Sequence, residues 1–437
     1  MILEVRPSQG LRGTVRVPGD KSISHRAALL GALGEGITRI DGFLESEDCL
    51  ATLRCLSLLG VSIERLAPGS YEVVGRGRQG FQEPLSVLDC GNSGTTMRLL
   101  AGILAAKPIN AVVTGDVSLC ARPMARVIEP LRSMGAEIYG KAQDTRAPLT
   151  IIGSRELRGR VHELPIASAQ VKSAILLAGL NAKGITVVKE PTQSRNHTEV
   201  MLQYLGVPVR IEGLSVTVEG GSIPQGGHII VPGDISSAAY LMVAGTILPN
   251  CDVTLANVGI NPTRAGIIEV LRSMGADLAV RSEANDGEPR ATIRIRSSGL
   301  HGIEIKGDII PTLIDELPII AVAAARAQGT TRIGDAAELR VKESDRIAVM
   351  ARELAALGVD IREQPDGWTI RGGQRISGGR VCGHGDHRIV MALAVLGLGG
   401  DEPLYIKGAE VVGVSFPGFA GILRDLGAQI EEREAGS

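Results

Sequence analysis

The chain has 437 residues, 44% hydrophobic and 22% charged, with a formal net charge of −2 and only 2% aromatics. That length is too great for one ordinary core and predicts two or three domains of a soluble globular protein. The charge balance leaves no basic field for nucleic acid or anionic lipid, the scarce aromatics leave few platforms for stacking bases, and no apolar run approaches the ~20 residues of a membrane span.

At the amino terminus, MILEVRPSQG places Glu4 and Arg6 where a signal peptide needs an apolar core. The phrase VPGDKSISHRAALLGAL then starts at Val17, and VPGDISSAAYLMVAGTI starts at Val231 with the same four residues. Each opens a trio of similar units. Every unit carries a helix packed with small apolar residues: HRAALLGAL (25–33), TMRLLAGILAA (96–106), VKSAILLAGL (171–180), AAYLMVAGTIL (238–248), LPIIAVAAARA (317–327) and HRIVMALAVLGL (387–398). Being apolar on most faces, these helices are expected to be buried. A strand-like phrase follows, such as ITRIDG (37–42), ITVVKE (185–190) or TTRIGD (330–335).

Next in each unit comes an amphipathic helix stopped by glycine and followed at once by a strand. Its versions are LRCLSLLGVSIE, LRSMGAEI, LQYLGVPVRIE, LRSMGADL, LAALGVDIRE and LRDLGAQIEE, with glycines at 60, 135, 206, 275, 358 and 427. Intervals of 75, 71, 69, 83 and 69 residues between those glycines mark internal repetition. The fold class is therefore α/β, six units grouped three and three.

Several motifs along the way carry little. Gly75-Arg-Gly-Arg-Gln-Gly80 satisfies G-x-G-x-x-G, but Pro84 follows where a pyrophosphate-binding helix would have to start, so the segment reads as a turn. No P-loop is present. His384-Gly-Asp386-His387 has no partner cluster that would make it a metal site. The six cysteines, at 49, 55, 90, 120, 251 and 382, form no C-x-x-C pair and read as free thiols of a cytoplasmic protein.

Polar residues just before the buried helices are more informative, because helix N-termini offer free N–H groups and a positive dipole end. Lys21, Ser22 and Arg26 open the first, Asn92-Ser-Gly-Thr-Thr96 the second with Arg98 inside it, Ser168-Ala169-Gln170 the third, Asp315-Glu316 the fifth and Asp386-His387-Arg388 the sixth. Arg122 and Arg195 stand in loops that precede helices. In RVKESDRIAVMARELAALG, Ser344 is the expected cap of a helix whose first turn crowds Lys342, Glu343 and Arg346. Seven of these cations, Lys21, Arg26, Arg122, Arg195, Lys342, Arg346 and Arg388, beside Asp315, Glu316 and Glu343 suit highly anionic small substrates, with carboxylates left for proton transfer.

Taken in order, GDKSISHRA, GNSGTTMR, ARPM, SAQVKSA, RVKESDR and GDHR resemble the 3-phosphoshikimate 1-carboxyvinyltransferases, the enolpyruvylshikimate-3-phosphate synthases of the shikimate pathway. Six motifs at these spacings over the whole chain are specific to that family, the target of glyphosate. The resemblance implies the two-domain enolpyruvyl transferase fold: six βαβαββ repeats, three per domain, with the active site in the interdomain cleft. The expected domains are 1–19 with 234–437, and 20–233, both crossings falling at V-P-G-D. It also implies transfer of an enolpyruvyl group from phosphoenolpyruvate to the 5-hydroxyl of 3-phosphoshikimate, with release of phosphate and without metal or organic cofactor, by a monomer. By matching motif, Lys21, Ser22, Arg26, Ser168, Ala169, Gln170, Arg195, Asp315 and Lys342 are expected to hold 3-phosphoshikimate. Lys21, Gly94, Arg122, Gln170, Arg346 and Arg388 are expected to hold phosphoenolpyruvate. Asp315 is the implied base, Glu343 the implied proton donor, and Lys21 and His387 secondary acid–base groups.

Departures from some members place this chain on another branch. Ala169 stands where they carry a serine, Arg195 has no arginine counterpart in them, and Val414 replaces a lysine before SFPGF. The sister transferase acting on UDP-N-acetylglucosamine is the alternative. It uses a loop cysteine several residues before A-R-P, whereas Cys120 lies two residues before Arg122.

Overall fold

The computed structural model describes residues 1–283 and 287–434. The chain forms two compact units, one of Met1–Pro18, Pro232–Asn285 and Pro289–Ser437, the other of Gly19–Val231 with Asp286–Glu288. It passes to the second unit after Pro18 and returns after Val231, inside the two V-P-G-D phrases. The last residue of each phrase caps the helix that follows: Asp20 accepts from Ile23 N at 2.9 Å and Asp234 from Ser236 N at 2.8 Å. This local chemistry is one reason the phrase recurs.

Six four-stranded sheets share one plan. In one, Leu88–Asp89 runs parallel to Asn110–Thr114, which pairs antiparallel with Arg146–Ile152, which pairs antiparallel with Glu137–Gly140. A parallel pair needs a crossover, and the inner helix Gly94–Ala105 supplies it. The outer helix Ala125–Ser133 then leads into the hairpin, burying one stripe, Val127, Ile128 and Leu131. Inner helices are buried almost all round: in Ile235–Ile247, every residue from Ile235 to Thr246 is covered. The outer helices end as their sequences predict, with Gly60, Gly135, Gly206, Gly275, Gly358 and Gly427 at φ of 81°, 102°, 80°, 98°, 89° and 105°. That left-handed C-terminal position is where glycine lacks the Cβ penalty.

Three sheets are completed from a distance. Arg12–Val15 precedes the helix Lys21–Leu33 in sequence but pairs parallel with Asp252–Gly259. His228–Ile230 precedes Ile235–Ile247 but pairs parallel with Ile37–Asp41. Ile2–Arg6 lies between Leu404–Lys407 and Gln429–Arg433. Among the described residues no helix is long and apolar enough to cross a membrane. The G-x-G-x-x-G segment forms only a short 3₁₀ turn, Gly77–Gln79, and all six cysteines are unpaired.

Candidate functional site

In the unit built on Gly19–Val231, three inner helices begin with candidate residues: Lys21 and Ser22, Gly94, and Ala169 and Gln170. Ser93 and Ser168 cap the second and third through Thr96 N and Val171 N. Side chains tie these first turns together. Arg26, only 4% exposed, donates from Nε to Thr198 Oγ1 at 2.7 Å, from Nη2 to Ser173 Oγ at 2.8 Å and from Nη1 to the Ser22 carbonyl at 3.0 Å. Burial brings its pKa down to about 10, against the pull of Glu199 and Asp20. Lys21 Nζ lies 2.5 Å from Asp48 Oδ2.

Arg98 donates to Gln170 Oε1 at 2.5 Å, and Gln170 Nε2 donates to Thr95 Oγ1 at 3.0 Å. Arg122 Nη2 donates to Asn92 Oδ1 at 2.6 Å, and Asn92 is itself held by Asp116 at 2.7 Å. Burial, with Arg122 and Arg126 close by, lowers Arg98 to about 10. Arg98 and Arg122 thus spend their hydrogen bonds on carbonyl and amide oxygens, so their charge favours an incoming anion. A Cβ placed on Gly94 would lie 2.8 Å from Arg98 Nη1 and 3.4 Å from Arg122 Nη1, so the bare backbone is what lets both guanidinium groups come so close.

The other unit gathers acids around two arginines. Arg346, 1% exposed, donates from Nε to Asp386 Oδ2 at 2.8 Å and from Nη2 to Glu343 Oε2 at 2.5 Å, and its Nη1 is 3.4 Å from Asp315 Oδ1. Arg388 Nη1 donates to the Asp315 carbonyl at 3.0 Å, while its Nη2 is 3.7 Å from Asp315 Oδ2. Asp386 is fully buried and also caps the helix His387–Leu398 through Arg388 N at 2.9 Å. Glu316 is buried, which raises its carboxyl, and it accepts from the Ser236 hydroxyl, which is itself bonded by Arg264 Nη2 at 2.8 Å. Burial acts most strongly on Glu343 and would raise it, but the Arg346 guanidinium, a backbone N–H and His387 together offset it and hold that carboxyl below its usual range. Burial and Arg388 push His387 down to about 4, so at neutral pH it is an uncharged proton acceptor.

The expected cap at Ser344 is corrected. Asp345 Oδ1 caps the helix Arg346–Ala356, accepting from Ala348 N at 3.0 Å, while Ser344 Oγ donates to Asp386 at 3.1 Å. A buried carboxylate needs every donor it can reach, and that demand outweighs the local cap.

Over residues 5–423 the chain matches the family described as EPSP synthase (3-phosphoshikimate 1-carboxyvinyltransferase). It belongs to the EPSP synthase family. A relative from Alkalilimnicola ehrlichii named 3-phosphoshikimate 1-carboxyvinyltransferase is 52% identical over 436 residues, covering 100% of this chain and 98% of its own. One of the same name from Desulfitobacterium hafniense is 51% identical over 425 residues, covering 97% of each chain. A solved EPSP synthase from Acinetobacter baumannii superposes with a TM-score of 0.94 at 46% identity, over 98% of this chain and 99% of that one. The α/β fold is that of EPSP synthases, and none of these likenesses favours the sister transferase.

Within this EPSP synthase family member, Asp315, Glu343, Arg346 and Arg388 meet in one cluster, with His387 beside it. Gln170 joins the second and third inner helices of the other unit, and the charge of Arg195 acts on Arg26. Lys342 is not brought to the acid cluster: its Nζ sits 2.5 Å from Glu338 Oε1. Sequence reasoning missed the buried group of Lys172, Glu190 and Glu199, although a lysine inside the apolar helix VKSAILLAGL was a visible signal. It also missed the central place of Asp386 and the part played by Arg98. His384 of the H-G-D-H stretch is 2.8 Å from Glu353, and among the described residues no group of three or more His, Cys, Asp or Glu is arranged to hold a metal.

Proposed function

We propose that this chain transfers the enolpyruvyl group of phosphoenolpyruvate to the 5-hydroxyl of 3-phosphoshikimate and releases phosphate, working as a cytoplasmic monomer. The observation that carries the reading is the Asp315–Arg346–Glu343 cluster, in which two carboxylates suited to proton transfer share one buried guanidinium. It is supported by family membership and by the arginine pair over Gly94. In the addition step Asp315 takes the proton of the 5-hydroxyl as its oxygen bonds to C2 of phosphoenolpyruvate, and Glu343 delivers a proton to the methylene carbon. In the elimination the C2–O bond to phosphate breaks as a proton returns from the methyl group. Free Glu343 is held ionised by Arg346, so it must gain its proton on binding. A substrate phosphate or carboxylate on Arg346 weakens that pairing and raises the Glu343 carboxyl.

In this reading Lys21, Ser22, Arg26, Ser168, Ala169, Gln170, Arg195 and Lys342 serve 3-phosphoshikimate, and Lys21, Gly94, Arg122, Gln170, Arg346 and Arg388 serve phosphoenolpyruvate. The test is phosphate release with both substrates, each omitted in turn. Release that required only one substrate, or none with both, would reject the assignment.

Gly94→Ala is expected to raise the phosphoenolpyruvate KM by about tenfold or more. Its Cβ would sit 2.8 Å from Arg98 Nη1, and the displaced guanidinium would lose a charge-assisted contact of roughly 1.5–3 kcal/mol. Steady-state kinetics with saturating 3-phosphoshikimate measures this. Cys120→Ser is expected to keep kcat within about twofold, since Cys120 Sγ donates to the Gly115 carbonyl at 3.3 Å and lies 3.8 Å from Thr114 Oγ1, contacts that a serine hydroxyl can also make. A loss of orders of magnitude in a folded Cys120→Ser variant would instead favour the sister chemistry.

A further inference from the structure

Lys172 belongs to the third inner helix, Ala169–Gly179, and its side chain is 2% exposed. Its Nζ lies 2.7 Å from Glu190 Oε2, at the end of the strand Ile185–Lys189, and 2.7 Å from Glu199 Oε1, in the helix His197–Tyr204. One cation for two buried acids leaves a negative charge in excess, and such a charge draws any cation within reach. Arg26 is that cation. The hydroxyls it donates to, Ser173 Oγ and Thr198 Oγ1, are 2.7 Å apart and belong to the residues next to Lys172 and Glu199. Glu190 Oε2 also accepts from Ser194 N at 3.4 Å, the residue before Arg195.

We propose that Lys172 is a positioning residue for the 3-phosphoshikimate subsite: by pairing with Glu190 and Glu199 it keeps those acids off Arg26 and anchors the segment carrying Arg195, so that both arginines remain directed to the anionic groups of that substrate. The proposal rests on the function read above. With Lys172 removed, Glu199 captures Arg26, because the neighbouring Thr198 already holds its Nε. A guanidinium locked on a carboxylate no longer offers its fork to an anionic group of the substrate.

Two double variants separate this role from simple loss of packing, since each removes one cation and one acid and so leaves the net charge of the group unchanged. Lys172→Met with Glu190→Gln leaves Glu199 in place, and it is expected to weaken calorimetric binding of 3-phosphoshikimate about 10- to 100-fold. Lys172→Met with Glu199→Gln removes the acid that captures Arg26, and it is expected to bind within about threefold of the unaltered protein. The phosphoenolpyruvate KM should stay within about twofold in both. Equal binding by the two variants overturns the role of Lys172 while leaving the proposed function standing. Absence of 3-phosphoshikimate binding by the unaltered protein overturns that function, and this proposal with it.

Discussion

Asp315→Asn and Glu343→Gln are each expected to lower kcat by about 10²–10⁴-fold while leaving the protein folded, the usual contribution of a positioned acid or base. Each substitution keeps the shape of the side chain and an oxygen to face Arg346, which lies 3.4 Å from Asp315 Oδ1 and 2.5 Å from Glu343 Oε2. What is lost is the ability to take or give a proton. The loss should therefore fall on kcat and on kcat/KM alike, as for an interaction made in the transition state. Glu343→Gln should in addition abolish any proton uptake that accompanies phosphoenolpyruvate binding, which calorimetry in buffers of different ionisation enthalpy would measure. Turnover within a few-fold of the unaltered protein in both variants would remove these two groups from proton transfer.

Arg346→Met is expected to have the largest effect on stability. Three acids converge on this guanidinium, and one of them, Asp386, is fully buried. Removing one partner of a buried ion pair typically costs about 3–5 kcal/mol, because the remaining charge stays uncompensated. Over a unit of this size that corresponds to a fall of roughly 6–20 °C in melting temperature. The sign of the pH dependence follows from the two carboxyls that Arg346 holds down. Glu343 and Asp386 both lie below their usual 4.5 and 3.8, although burial acts to raise them, so their contribution is complete above those values. It is lost as pH falls through the lowered folded values. The gap in stability between the unaltered protein and Arg346→Met should therefore be full at pH 7 and close as the solution is acidified below about pH 4. A gap that did not change with pH would mean that packing, rather than charge, is what Arg346 supplies.

Much of this molecule could be read locally. The six glycines of the L-x-x-x-G phrases announced themselves by spacing, and their positive φ follows from the absence of a Cβ at the end of a helix. The inner helices were visible as runs of alanine, glycine and leucine with no polar face. Asp20 and Asp234 cap their helices within three residues of their own positions. The family motifs were equally local, so Asp315, Glu343, Arg346 and Arg388 could be named before their contacts were known.

Other features were decided only when distant segments met. Nothing near Arg12–Val15 or His228–Ile230 says that each strand completes a sheet other than that of the helix it precedes, because a strand's partner is set by which exposed edge the folded chain offers it. Ser344 has the composition of a cap, yet Asp386, 42 residues further on, takes its hydroxyl and leaves the cap to Asp345. Lys342 reads from the sequence as one of the site's cations, and only the fold shows that its ammonium rests 2.5 Å from Glu338. Lys172 looked like an exception in an apolar helix until Glu190 and Glu199 closed around it. Local propensity and period act over a few residues and are written in the sequence itself. A buried charge must be satisfied by whatever the tertiary fold brings within about 3 Å, and only the folded chain determines which group that is.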